Sequence, residues 1–471
     1  MMDSKFVKAL VHLDRHERNR FRKFLDSPFF NADENLVLLF AFIDNQLAKN
    51  PIFLPERETL WKRVFRGLPY DDVRLRKYLS DLLRHLSQFL SFDHYQRDPL
   101  AQELILLEVI RDRKLKGLSN TSLKRAKTHA ANKPLRNAQT YLQAYHLQRS
   151  LFEIQNFEED RDLRSNIEEI SENLDLFYLA EKLRLYSDAL ALQKMTPHTY
   201  RLLHEEEVLR MTERAEYQQI PAISVYSRLL KLYTNPDDEE NYFSLRRFLS
   251  ENNPLFPRNE LTEIYSTIIN YCTIKINYGS RTFLSDLFEF YQEVVSQDIL
   301  IEDRSFSPWH FRNIVTIGLR LGEFRWTESF IQDYAPLLPE NQRENALTFN
   351  LASLYFYQKK YDQVIRTLQS VEYDDYTYNL NSKVMLITTY FESGETDALF
   401  FLFDSFRAFL NRNTELPEIR KSPFRHFISF TKKIAKLGPR DKKGREKLML
   451  ELEAIPNVAS RAWLQEKLAE A

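Results

Sequence analysis

Eight glycines in 471 residues leave this chain few places to turn tightly. Glycine supplies the left-handed backbone of hairpin turns and the close approach of phosphate-binding loops. At a usual share of roughly 7%, a chain of this length would carry about four times as many. Such scarcity argues against β-rich folds and nucleotide-binding enzymes. It suits long helices joined by short polar turns, and an apolar share of 43% with 35 Phe and 24 Tyr supplies the core.

Helical periodicity bears this out along the chain. Leu75, Tyr78, Leu79, Leu82, Leu83, Leu86, Phe89 and Leu90 recur three and four apart, which predicts one apolar stripe on a helix from about 72 to 90. Start signals precede such stretches. Asp14 with Glu17 and Asn31 with Glu34 have capping-box spacing, while Ser307-Pro308 and Thr196-Pro197 place a cap residue before a first-turn proline. No period-two strand pattern stands out, so the predicted class is all-α. Four regions are expected: a basic helical head over 1–95, long amphipathic helices over 98–250, helical repeats over 256–437 and capping helices over 438–471. The middle region carries an acidic stretch from Glu158-Glu159-Asp160 to Glu172, and Asn235 to Glu240 reads as its linker or turn.

Net charge is −1, but residues 1–130 hold 24 Lys and Arg against 17 Asp and Glu, leaving 42 against 50 elsewhere. A lone cysteine, Cys272, permits no intrachain disulfide and suits a reducing compartment. Met1-Met2-Asp3-Ser4-Lys5 leads into a charged helix rather than a signal core, and the longest apolar run, Leu36 to Ile43, is far short of the ~20 residues that span a bilayer. A cytoplasmic chain without membrane insertion is expected.

Between Leu351 and Val371 the residues Leu351-Ala352-Ser353-Leu354-Tyr355-Phe356, Lys359-Lys360-Tyr361-Asp362, Val364-Ile365 and Leu368 follow one another at hairpin spacing. This stretch resembles a tetratricopeptide repeat (TPR), whose large, small and aromatic residues lock two antiparallel helices. Aligning on the hairpin turn gives four phases, Gly279, Gly322, Lys359 and Gly394, at spacings of 43, 37 and 35 residues. The last two approach the repeat length of about 34, and the first is more divergent. The resemblance implies a helical-hairpin α-solenoid, a TPR-like superhelix that binds a protein or peptide in its concave groove.

Nine residues before the turn stand Asn270, Asn313 and Asn350, with Met385 breaking the series. In TPR geometry this position tends to face the groove. An amide offers both donor and acceptor, so the series could grip an extended peptide or staple neighbouring repeats. Arg312, Phe349, Ser353, Phe356, Tyr357 and Asn381 are expected on the same face, with Arg312 suited to a carboxylate.

Catalytic and metal chemistry finds no pattern. His12 and His16 are four apart, but Asp14 between them reads as a cap, and His198 and His204 are six apart. No metalloprotease motif, nucleophile elbow, Walker loop or dinucleotide fingerprint occurs. Acidic pairs such as Asp71-Asp72 and Asp374-Asp375 sit where capping explains them. No enzyme, metal or cofactor is expected.

Nucleic acid is the alternative partner. Arg18, Arg22 and Lys23 crowd one helix, and Lys62, Arg63, Arg74 and Lys77 the next helical pair. Leu60 to Leu86 is helix–turn–helix in shape and similar to the winged-helix heads that precede TPR domains in some bacterial regulators, although no strand pair follows to build a wing. Glu17-Arg18-Asn19-Arg20-Phe21-Arg22-Lys23-Phe24-Leu25, Ser27-Pro28-Phe29-Phe30-Asn31 and Tyr70-Asp71-Asp72 resemble, with the repeats, a family of all-helical TPR-containing proteins from Bacteroidota-type bacteria. That resemblance implies the fold and brings no activity with it.

Overall fold

Polar caps and short turns divide the chain into 24 α-helices among the described residues, and the protein is all-α. The computed structural model describes residues 3–50, 54–157, 165–196, 198–302, 305–369, 376–413, 416–438 and 441–470. Glu158-Glu159-Asp160, Pro197, Val371, Asp374-Asp375 and Pro439-Arg440 lie outside them. Two units result, Met1–Phe256 and Pro257–Ala471.

The first unit opens with α1 (Lys5–Val11), α2 (Arg15–Leu25), α3 (Glu34–Lys49), α4 (Arg57–Val64) and α5 (Asp72–Gln96). All four shorter helices pack on α5. Its stripe is the predicted one, with Leu75, Tyr78, Leu79, Leu82, Leu86 and Phe89 buried, whereas Leu83 is half-buried and Leu90 exposed. Phe21 sits at the centre, with ring centroids at 6.4 Å from Phe6, 4.9 Å from Phe40 and 5.4 Å from Phe89.

The helix starts are decided locally. Asp14 and Glu17 complete the capping box expected of them, and Asp71 caps α5 by accepting from the Arg74 N–H. Asn31 does not cap α3: Asp33 does, accepting from the Asn35 N–H. Asn31 is instead nearly buried, donating to the Leu25 and Asp33 carbonyls, because two residues of turn separate it from the helix.

The unit continues through α6 (Pro99–Asp112), α7 (Lys116–Ala131), α8 (Ala138–Phe157), α9 (Ile167–Met195), α10 (Glu205–Thr212), α11 (Ala215–Gln218), α12 (Pro221–Thr234) and α13 (Glu239–Asn252). Thr196 was expected to open a helix and instead closes α9, its hydroxyl donating to the Leu192 carbonyl at 3.0 Å. Asn235 to Asp238 is a turn within this unit and Glu239-Glu240 open α13: Asp238 caps that helix, and Asn241 donates back to the Asn235 carbonyl.

The second unit holds α14 (Arg258–Asn277), α15 (Arg281–Ser296), α16 (Pro308–Leu321), α17 (Phe324–Tyr334), α18 (Glu340–Tyr357), α19 (Tyr361–Gln369), α20 (Tyr376–Ser393), α21 (Thr396–Arg412), α22 (Glu418–Ile434), α23 (Lys442–Glu453) and α24 (Arg461–Ala469). Between α15 and α16 the two-residue strands β1 (Ile301–Glu302) and β2 (Ser305–Phe306) pair antiparallel, a feature too short for any period to reveal. From α14 to α22, helices consecutive within each hairpin pack on each other, and α16 packs on α18 as α18 does on α20. The four residues aligned as hairpin turns all take the left-handed conformation: Gly279 at φ 95°, Gly322 at 82°, Lys359 at 59° and Gly394 at 75°. Each joins a first helix to its second. α23 and α24 close onto the same core through Leu448, Leu452, Leu464 and Leu468. Among the described residues no helix is long and apolar enough to cross a membrane.

Candidate functional site

The first helices of the second unit carry the residues that sequence spacing singles out. Arg312 on α16 places its guanidinium 5.3 Å from the ring centroid of Phe349 on α18. Phe349 meets Tyr378 on α20 edge-on, with centroids 5.5 Å apart. One half-buried cation and two buried rings therefore run across three neighbouring helices, so Phe349, expected on the groove face, packs between helices instead. Attraction between the guanidinium and the ring face holds the row in register. Ser353, one turn beyond Phe349, donates its hydroxyl to the Phe349 carbonyl at 2.9 Å. Phe356 lies between Tyr357 and Tyr361, with centroids at 6.2 and 6.1 Å. Tyr357 is 42% exposed at the end of α18. Crowding at its hydroxyl end raises the phenol pKa, and nearby Arg320 pulls it the other way.

The asparagine series divides. Asn270 is exposed, Asn313 is half-buried and Asn350 is buried at 1% exposure. Asn350 donates one of its two amide hydrogens to the Ala346 carbonyl of its own helix at 2.7 Å, and its burial keeps it off an open groove. Asn313 lies beside the buried Tyr291 of α15. Burial and then Cys272 push that phenol above its ordinary range, and the Asn313 amide opposes them. Asn381 is half-buried on α20.

Sequence reasoning missed half of the exposed face of α16. Trp309, 53% exposed, Thr316 and Arg320 share it with Arg312 and Asn313, at three- and four-residue steps. The helix Pro308–Leu321 contains two arginines and no carboxylate. Extending the Asn313 phase one turn back to Trp309 and two turns forward to Arg320 would have found this stripe.

The basic head is less available than its composition suggests. Arg18 and Arg22 both pair with Asp44, at 3.7 and 2.9 Å. Lys62 pairs with Glu58 at 2.6 Å, and Arg74 donates to the Tyr78 hydroxyl at 2.9 Å. Nearby Arg20 and Arg97 share Asp93, whose carboxyl pKa is lowered first by the Arg20 bond. Lys23, Arg63 and Lys77 are exposed and have no ion-pair partner among the described residues. α5 is the centre of the head bundle, packed on by α1, α2, α3 and α4.

Two further placements bear on chemistry. His12 ends α1 and His16 belongs to α2, so Asp14 separates them as its capping role requires. Cys272 is buried. Among the described residues no three His, Cys, Asp or Glu side chains gather as metal ligands.

Asp286 on α15 is the most displaced carboxyl. Burial first, then Glu289 and Glu293, push its pKa up to about 6, and its buried Oδ2 has no hydrogen-bond partner among the described residues. A carboxyl raised above its ordinary 3.8 favours the protonated fold. Stability therefore falls as pH rises from about 4 to 6, and the deficit persists above that. Asp286→Asn should raise the thermal midpoint at pH 8 and leave it unchanged at pH 3.5. An equal change at both values would exclude ionisation as the cause.

Compared with family models, curated proteins and solved structures, the chain finds no match in any of the three.

Proposed function

We propose that this chain is a cytoplasmic interaction scaffold whose unit Pro257–Ala471 stacks TPR-like hairpins and holds an extended peptide along its first helices. The observation that carries this reading is the row Arg312–Phe349–Tyr378, continued on the exposed side of α16 by Trp309, Thr316 and Arg320. Left-handed turns at the four aligned positions and packing of α16 on α18 and α18 on α20 support a TPR-like stack. Trp309 and Tyr357, which are exposed where Phe349 and Tyr378 are buried, give a peptide apolar anchorage, and the exposed Arg320 favours acidic segments. The alternative, nucleic acid on the head, keeps three of its seven named cations, Lys23, Arg63 and Lys77, outside the pairs above, and no observation favours it.

Site-specific photo-crosslinking tests the reading. A benzophenone side chain at Trp309 or Tyr357 should capture a discrete partner from the native host, while one at Phe401, which is 78% exposed on the second helix α21, should not. Arg312→Glu with Arg320→Glu should reduce capture at least tenfold and leave the helical circular-dichroism signal intact. Equal capture from all three positions would overturn the groove.

A further inference from the structure

Arg228 lies midway along α12 in the first unit. Its Nε donates to Ser244 Oγ on α13 at 3.1 Å, and its Nη1 donates to the Ser224 carbonyl at 3.0 Å and to Ser224 Oγ. The guanidinium lies 4.7 Å from the Phe248 ring centroid. These contacts fix its plane between two helices. What is missing is a counter-charge: Arg20, Arg22 and Arg111 of the same unit each meet a carboxylate, whereas Arg228 has none among the described residues. Burial alone accounts for the lowering of its pKa.

A guanidinium has five N–H donors. Nε and Nη1 use three on the serines, which leaves the two of Nη2. Ser244 accepts from Nε with its oxygen lone pair, so its own proton remains to be donated on the same edge of the guanidinium as Nη2. The contacts named are neutral hydroxyls, a carbonyl and an aromatic face. A cation taken partly out of water without a partner is stabilised by an anion that restores both charge and hydrogen bonds.

We infer that Arg228 Nη2 and the Ser244 hydroxyl bind a single oxyanion group, a phosphate or a carboxylate, against the α12–α13 pair. Arg228 supplies charge and two donors, Ser244 supplies a third, and Phe248 holds the guanidinium plane.

The test is thermal unfolding of the full chain in inorganic phosphate, sodium acetate and sodium chloride at matched pH and ionic strength. At about ten times the dissociation constant, the bound anion should raise the midpoint of the first transition by about 3 °C over chloride. A rise in phosphate alone assigns a phosphate group, and a rise in acetate alone assigns a carboxylate. Arg228→Gln should abolish the anion-specific rise while matching or exceeding wild type in chloride, because it removes a half-buried charge. Arg228→Lys, which keeps charge and loses the fork, should retain less than half the rise and keeps the test valid if the glutamine variant does not fold. No anion-specific rise in wild type, or the same rise in both variants, would overturn the site. A loss of stability by Arg228→Gln that is equal in all three salts would mark Arg228 as a structural tie alone.

Discussion

Asn350→Asp is expected to destabilise the second unit by about 3 kcal/mol at neutral pH. Asn350 is 1% exposed, and its amide donates to the Ala346 carbonyl at 2.7 Å. Aspartate removes that donor and sets a buried negative charge against a carbonyl oxygen. A protonated carboxyl could donate again, so the folded state would hold its proton above the ordinary carboxylate value of about 3.9. The penalty therefore grows as pH rises from about 4 and is small below it. Urea unfolding at pH 3.5 and pH 8 would measure the difference. Asn270→Asp, at the same repeat phase but exposed, should stay within about 0.5 kcal/mol of wild type at both values. Equal costs at the two positions would mean that phase, not burial, governs the series.

Gly318→Val should cost about 3 kcal/mol, because α16 and α17 meet where Gly318 has no side chain. A Cβ there would press into Thr327 Oγ1 and stand 3.4 Å from the Phe288 ring. Thr327 cannot readily retreat: it is fully buried, and its hydroxyl donates to the Glu323 carbonyl at 2.8 Å. Gly318→Ala isolates the contact, since alanine in a helix otherwise gains about 1 kcal/mol over glycine. A net loss with alanine means that the clash exceeds that gain. Pairing Gly318→Ala with Thr327→Ala removes the opposing oxygen and should recover part of the loss, a coupling visible in a double-mutant cycle. Strictly additive single effects, or a full propensity gain from alanine alone, would count against the close approach.

How far the sequence reads true depends on the range of the interaction. Helices were legible because periodicity is local, and the four turn residues because a hairpin needs a left-handed residue near a fixed distance from its flanking helices. Lys359 shows that the position rather than glycine marks the turn. Caps were legible where only one acid was offered, as at Asp14. At Asn31 and Asp33 two capping residues competed, and the nearer one won. The asparagine phase fixed an angle about each helix axis but not what packs there: α18 is flanked by both α16 and α20, which seals Asn350. Charge in the head was legible, yet its pairing was not, because Arg20 finds Asp93 across 73 residues. Arg228 gave no sequence signal, since its distinction is the absence of a carboxylate beside it among the described residues.

The packing of α1 to α4 on α5 has a consequence for the order of events during synthesis. Those four helices leave the ribosome before the element that buries their apolar faces, so the head cannot consolidate until Asp72–Gln96 has followed. The second unit faces no such delay: its hairpins rest on sequence neighbours, and each can settle against the one made just before it. The head is thus the part that waits, leaving Phe6, Phe21 and Phe40 open to chaperones or to wrong partners until α5 is made.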